Sequence, residues 1–504
     1  MSLFIATTIT LPAQTFTNLA TFDLTNGANP DGSLVQGVDG NLYGTTVAGG
    51  RPFLDPAGTA FQVTATGNLT TLYEFCSSNV GGPCSDGSDP VAGLRLGVDG
   101  NFYGAASTGG GGSYCNESSR CGTIFQLTAN GALTTLHDFC NQFHCSDGEN
   151  PLGTLVQGVN GAFYGTTSFG TDNANAGSIY AITAAGKFTS LYDFCSQTNC
   201  ADGWDPQSGL VQGRDGNFYG TAELGGAQNC STPGCGTIYK ISAAGKFAVL
   251  YTFCAQGGNP CPDGEGPVGA LVQGSDGNFY GTTSYGGAYT SGGTVFKITP
   301  KGSLTTLYSF CSQTNCADGA IPTGQLVQGT DGNFYGTTKT GGHHGCVNYD
   351  LGQRGCGTIF RITPSGKLTT LYKFCHVNGC PDGALPVAGL LQATDGNFYG
   401  TANSGGAADC FGLTCGTIYK LSVGLGPFVS LPQPYGKVGQ SVQILGQGLT
   451  GTTGVSFNSS PASFTVVSDT YIQAQVPTGA TSGMITVTTP NETLNSNTAF
   501  QVLP

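Results

Sequence analysis

One stretch constrains this chain more than any other: Gln328-Gly-Thr-Asp331-Gly-Asn333-Phe-Tyr335-Gly336-Thr-Thr338. Near-copies are centred on Asp39, Asp99, Asn160, Asp215, Asp276, Asp331 and Asp395, at intervals of 60, 61, 55, 61, 55 and 64 residues. A period of this length, with short apolar runs between turn residues, is the pattern of a radial or stacked β architecture. The number of copies predicts seven modules.

Each copy reads as four strands, taken here from the sixth. Residues 324–329 form the first, and Asp331-Gly332-Asn333 follows as a two-residue Asp-Gly hairpin turn of type I′. Residues 333–338 are the second strand, ended by Gly341-Gly342. Residues 357–363 and 368–374 alternate apolar and polar and give strands three and four.

The two ends of the array fit together. The last copy stops after its third strand, residues 416–422. Residues 16–22 have the pattern of strand four with no copy before them. The N-terminal strand should therefore complete the last sheet and close a ring, which removes the exposed edges that open sheets must manage. The expected fold is all-β: a seven-bladed β-propeller over residues 15–424 followed by a small Ig-like β-sandwich over 427–504. In that last segment the cysteines stop and short alternating strands follow one another at regular turns. Residues 3–11, an apolar run followed by Pro12-Ala13-Gln14, are similar to the tail of a secretory signal peptide without its basic start, so 1–14 is read as its remnant.

Acidic residues outnumber basic ones 29 to 16, for a net charge of −13. No basic stripe marks a nucleic-acid partner, and no apolar stretch reaches membrane-spanning length. The 20 cysteines fall into local pairs. Six pairs follow strand four: Cys76/Cys84, Cys140/Cys145, Cys195/Cys200, Cys254/Cys261, Cys311/Cys316 and Cys375/Cys380. Four lie in longer loops: Cys115/Cys121, Cys230/Cys235, Cys346/Cys356 and Cys410/Cys415. Short, repeated, even spacings indicate disulfides in an oxidising compartment, hence a secreted or cell-surface protein. Zinc would require four ligands at one point, whereas the repeat spreads these pairs around a ring.

The Asp-Gly-Asn-Phe-Tyr-Gly-Thr-Thr motif resembles the Gloeo/Verruco (GloVer) tandem repeat of secreted bacterial proteins, over roughly residues 30–422. The third copy, Asn160-Gly-Ala-Phe-Tyr-Gly, departs slightly. The resemblance implies secretion and supplies no catalytic residues. The C-terminal segment resembles the IPT/TIG immunoglobulin-like family through its Gly-rich opening, Val455-Ser-Phe457, and its Val476-Pro477 then Gly483-Met-Ile-Thr-Val ending.

The loop between strands two and three should share a face with the lead-in loop of the next module, and both carry the cysteines. Functional groups usually gather on such a stiffened loop face. Each lead-in loop has Asp-Gly, two variable residues and Pro, with Asp86, Asp147, Asp202, Asp263, Asp318, Asp382 and, at the first, Asn26. A ring of acids could hold cations; side-chain capping of backbone N–H groups is the reading favoured by repetition in every module. Between Asp-Gly and Pro stand Ala28-Asn29, Ser88-Asp89, Glu149-Asn150, Trp204-Asp205, Glu265-Gly266, Ala320-Ile321 and Ala384-Leu385.

The polar and aromatic members occupy one arc, joined by Glu223 and Tyr285 after strand two. An aromatic platform beside carboxylates suits a sugar ring, so Trp204, Asp205, Glu149, Glu265 and Tyr285 form the candidate binding set for a polysaccharide or surface glycan. In an enzyme, Glu149, Glu223 and Glu265 would be the candidate acids and bases of a glycoside hydrolase or lyase. A structural surface protein whose rim has no ligand is the third reading. His343, His344 and Asp350 read as an exposed polar loop rather than a metal site, and His137 as a structural stand-in for the strand-four Tyr. No nucleophile elbow or phosphate-binding loop is present, and no cofactor or metal is expected.

Overall fold

The computed structural model describes residues 14–504 except 51–56, 78–83, 115–120, 171–174, 228–233, 256, 259–260, 290–291, 343–354, 407–408 and 411–412. The signal-peptide reading, His343, His344, Asp350, Cys115, Cys230 and Cys346 therefore lie outside the described residues. The protein is all-β, with three short 3-10 turns among the described residues. Each repeat folds into one four-stranded antiparallel sheet in sequence order, arranged in a propeller-like array. In the sixth the strands are Val327–Gln328, Phe334–Thr338, Thr358–Ile362 and Leu368–Lys373. The seventh sheet takes its outer strand from the N-terminus. Thr15–Thr21 pairs antiparallel with Thr417–Ser422, Phe16 opposite Leu421, as the strand left over in the sequence requires.

The repeat motif has a side-chain explanation. The Asp39 carboxylate accepts from the Asn41 backbone N–H at 3.1 Å, the Asn41 amide at 2.7 Å and the Tyr43 hydroxyl at 2.8 Å. The same set recurs around Asp99, Asp215, Asp276, Asp331 and Asp395. In the third copy Asn160 makes the two contacts open to an amide, accepting from the Ala162 N–H and donating to the Tyr164 hydroxyl.

The turn itself differs from expectation. Gly97 N–H donates to Asn101 and Gly100 N–H to Gly97, and of the loop residues only Gly100 has positive φ. This is a three-residue loop with a left-handed glycine rather than a two-residue type I′ turn. The aspartate's bonds to Asn101 and Tyr103 are formed with its backbone in the ordinary region, which a type I′ turn would not allow.

Phe and Tyr of the motif face opposite sides of their sheet and link neighbours. Tyr43, Tyr103, Tyr164, Tyr219, Tyr280 and Tyr335 each pack on the Phe of the next sheet at ring separations of 3.9–4.2 Å. Tyr399 of the seventh sheet shares a core cluster with Leu42 of the first. The following glycine is imposed by the third strand: a Cβ at Gly104 would lie 2.5 Å from the Phe125 ring.

Inner strands are also tied. The amide oxygens of Gln157, Gln212, Gln273, Gln328, Gln392 and Gln36 each accept the backbone N–H of a residue on the preceding sheet, at 2.8–3.1 Å. The junction of first and second sheets lacks this tie, because Leu96 stands where the others have Gln.

The C-terminal strands enclose a single core that includes Val429, Ile444, Phe457, Ile472, Ile485 and Phe500. They lie on the hairpin-turn face. Leu445 and Tyr471 pack with Leu94 and Leu96 in one cluster at the first–second junction. Thr470 Oγ1 donates to the Val38 carbonyl at 2.8 Å and the Gln443 amide to the Val98 carbonyl at 3.1 Å.

Candidate functional site

Seven inner strands and the loops that lead into them surround a cavity of about 640 Å³, a size typical of small-molecule sites. The repeat register decides which residues reach it. The position after each lead-in proline contributes Asp31, Val91, Leu152, Gln207, Val268, Thr323 and Val387. The position after strand two adds Glu223, Ser284 and Lys339. Most wall residues are therefore small or aliphatic, and the polar ones are departures from the repeat.

The densest polar group belongs to the fourth and fifth sheets. The Gln207 amide donates to both Glu223 and Asp205, the latter at 3.1 Å. Glu223 is pushed up to about 7 by burial and then by the neighbouring Asp205 carboxylate, with the Gln207 amide opposing. Tyr285 is raised by burial and by the charges of Glu223 and Glu265, and burial raises Glu265. Across the channel, burial raises Asp31, opposed by its bond from the Asn403 amide and by the charge of Lys339.

Of the residues singled out in the sequence, Glu223 and Tyr285 line the cavity. Glu265 and Tyr285 oppose each other in an antiparallel bridge, as do Trp204 and Leu224, and Glu149 and Phe169. These bridges place each lead-in loop beside the loop after strand two, so the two loop types share a face. Glu149 sits beside the Cys140–Cys145 disulfide, its carboxylate 3.5 Å from the Cys140 sulfur. Trp204 is partly buried and packs against the cluster containing Phe194, Ala222 and Tyr239.

Asp205 has a backbone reason for its type. The second variable position is left-handed in every lead-in loop, with φ of 54–58° at Asn29, Asp89, Asn150, Asp205, Ile321 and Leu385 and 64° at Gly266. Asn, Asp and Gly tolerate that region best. Sequence reasoning missed Gln207, Asp31, Lys339 and Arg95. Their signal is positional: each is a polar residue at a repeat position otherwise mostly aliphatic or small.

The lead-in aspartates cap loops. Asp202 accepts from the Ser196 and Gln197 backbone N–H groups and the Tyr192 hydroxyl. Asp86, Asp263, Asp318 and Asp382 likewise accept from backbone N–H groups and the strand-four Tyr. At the second sheet His137 replaces that Tyr, lies 3.2 Å from Asp147 and stacks on Phe188 at 4.1 Å, which makes it structural.

The six strand-four cysteine pairs are bridged as the spacing predicts: Cys76–Cys84, Cys140–Cys145, Cys195–Cys200, Cys254–Cys261, Cys311–Cys316 and Cys375–Cys380. The second cysteine of a pair also has a backbone task that the spacing did not reveal. The Cys84 carbonyl accepts from the Gly87 and Gly110 N–H groups, that of Cys200 from Gly203 and Gly226, and that of Cys316 from Gly319 and Gly342. Cys84, Cys200 and Cys316 are half-buried, and through these bonds each ties its lead-in loop to the double glycine after strand two. Cys121, Cys235, Cys356 and Cys415 are disulfide-bonded too; the side chain of Cys410, like the remaining expected partners, is outside the description. The Cys235 sulfur lies within 4.8 Å of those of Cys254 and Cys261, so two bridges stand side by side at the end of one sheet.

The sequence matches the model of the Gloeobacter/Verrucomicrobia repeat over residues 5–142 and 111–349. The chain belongs to this repeat family. No curated protein matches it. Among solved structures it is similar to the extracellular domain of a one component system from B. thetaiotaomicron, at 11% identity and a TM-score of 0.46, over 97% of this chain and 59% of that one. It thus spans about three fifths of that protein's length. Luciferin-regenerating enzyme is similar at 11% identity and a TM-score of 0.38, over 66% of this chain and 92% of that one. No helix among the described residues is long and apolar enough to cross a membrane.

Proposed function

We propose that this Gloeobacter/Verrucomicrobia repeat protein is a secreted, seven-bladed β-propeller closed by its N-terminal strand and followed by an IPT/TIG-like sandwich, and that it binds carbohydrate at the mouth of the central channel. The observation that carries this reading is the arc of Gln207, Asp205, Glu223 and Tyr285, with Glu265 beside Tyr285, facing Asp31 and Lys339 across a channel whose wall is mostly small and aliphatic. Amide and carboxylate groups offer hydrogen bonds to sugar hydroxyls, and the Tyr285 ring offers a face for a sugar's C–H groups. Disulfides beside the lead-in loops keep that arc in place and fit an oxidising environment. Trp204, one position from Asp205, is half-buried beside this arc.

A glycan array probed with the full chain tests the reading. Binding that is lost in Tyr285→Ala and Glu223→Gln, with neither variant melting below the wild type, supports it. An array without hits, or hits indifferent to both variants and to Trp204→Ala, overturns it.

A polysaccharide hydrolase or lyase is the second reading. Glu223, pushed up to about 7 by burial and then by Asp205, has the character of a general acid or base. Release of reducing ends or new double-bond absorbance on a polysaccharide panel, abolished in Glu223→Gln, would favour catalysis over binding alone.

A further inference from the structure

At the hairpin end of the channel, one side chain breaks the repeat more sharply than any on the rim. The inner strands present Val35, Arg95, Val156, Val211, Val272, Val327 and Leu391 at one position. Arg95 is the only polar residue of the seven, and it lines the cavity. One Nη donates to the Pro432 carbonyl of the C-terminal segment at 2.5 Å. Its Nε is buried with no partner. The ion pairs of the described residues are His137–Asp147 and His376–Asp382, so none of those residues supplies Arg95 with a carboxylate. Burial pushes its pKa down, with Tyr435 opposing. A guanidinium removed from water without a counter-charge is costly, and is met where an anion completes the site.

Docking of the C-terminal segment does not account for this charge. The adjacent Leu96 supplies the apolar contact with Leu445, and a single carbonyl uses one of five N–H donors. Guanidinium also matches carboxylate by a two-point fork that no neutral donor reproduces.

The inner strand sets the distance between the two ends. Gln207 and Asp31 stand four residues before the position equivalent to Arg95, or roughly 13 Å at the usual rise per residue. Between them the wall is mostly Val, Leu, Ala and Gly, with Ser33, Thr154, Ser208 and Gln325 interspersed. A ligand filling this space has a carboxylate at one end, an apolar-faced ring in the middle and hydroxyls at the other.

We infer that Arg95 seats the carboxylate of an acidic saccharide, such as a uronic acid, whose hydroxyls meet Gln207 and Glu223 at the mouth. The saccharide part rests on the carbohydrate reading above; the carboxylate seat does not.

Calorimetry on the full chain tests it with glucuronate and galacturonate, the neutral sugars glucose and galactose, and cyclohexanecarboxylate as a carboxylate without hydroxyls. The variants are Arg95→Val, which restores the repeat residue, and Arg95→Lys, which keeps the charge without the fork. Uronates should bind the wild type about 10- to 100-fold more tightly than neutral sugars. Arg95→Val should abolish that preference and Arg95→Lys retain part of it, with thermal melts reporting that each folds. If Arg95→Val does not fold, the wild-type ratio and Arg95→Lys decide. Neutral sugars binding as well as uronates, or a preference untouched by Arg95→Val, overturns the seat and leaves the carbohydrate reading standing. Arg95-dependent binding of cyclohexanecarboxylate with no saccharide bound supports the seat and overturns the carbohydrate reading. Absence of binding by every probe overturns both.

Discussion

The two faces of the array depart from the repeat for different reasons. On the hairpin face the Asp-Gly-Asn turns are nearly uniform, and the main break is the pair Arg95-Leu96 in place of Val-Gln. There the missing glutamine tie between first and second sheets is replaced by Leu445, Tyr471 and Thr470 from the C-terminal segment. On the loop face every lead-in loop keeps its capping aspartate or asparagine, yet the residues around the channel mouth change from sheet to sheet. A departure fully met by a partner from the same chain, as at Leu96, is architectural. A departure that leaves a buried polar atom unmet, as at the Arg95 Nε, points to something outside the chain.

Cutting the substitute tie should have the largest effect. Leu445→Ala removes a buried side chain from the cluster that bridges the first two sheets. The expected loss is about 2–5 kcal/mol, since this socket is walled by strands that cannot easily collapse. Denaturant unfolding measures it, and a loss below about 1 kcal/mol would mean that the C-terminal segment merely rests on the array.

The loop face offers a smaller change. Replacing Cys254 and Cys261 by Ser opens a bridge with a sequence separation of 7. The loop-entropy account gives about 2–3 kcal/mol for loops of this size. If that loop only stiffens the mouth, the unfolding midpoint falls while hairpin-face contacts, followed by hydrogen exchange at the Val98 amide, stay protected.

Glu223→Gln separates the faces by pH. The folded pKa of about 7 lies above the ordinary carboxylate value of 4.5. The folded state therefore holds a proton that the unfolded state releases, and stability falls as pH rises from about 4.5 to 7. The Gln variant should remove that decline and gain on the order of 1–3 kcal/mol relative to wild type at pH 8, with little difference at pH 4. Equal unfolding midpoints at pH 8 would show that the carboxylate is not desolvated.

Much of this was legible before any coordinates. The repeat period set out the four-strand sheets, and the orphan strand at residues 16–22 foretold the pairing of Phe16 with Leu421. Hairpin geometry was not legible, because Asp-Gly alone favours a type I′ turn, whereas the Asp side chain is held by Asn and Tyr two and four residues on. The mouth was half legible. Glu223 and Tyr285 stood out as unusual residue types, but Gln207 and Asp31 needed the register of each residue relative to the lead-in proline. Asp205 carried two messages at once, since its left-handed backbone favours Asp whatever the ligand. The Leu96 substitution gave no hint of its partner, because Leu445 lies hundreds of residues away.

The smallest predicted effect tests whether the glutamine ties matter at all. Gln392 accepts the Thr330 N–H at 3.0 Å and donates to the Gly396 carbonyl at 3.2 Å. Gln392→Leu copies the residue found at the first–second junction but brings no Leu445 with it. It strands two backbone groups and should cost about 1–2 kcal/mol. The reverse change, Leu96→Gln, places an amide among Leu94, Phe102 and Leu445 and should also destabilise, through burial of polar atoms beside apolar ones. If both changes cost stability, each junction is matched to its own partner. If Leu96→Gln is neutral, the glutamine tie and the C-terminal segment are interchangeable, and the difference between this junction and the other six carries no energy.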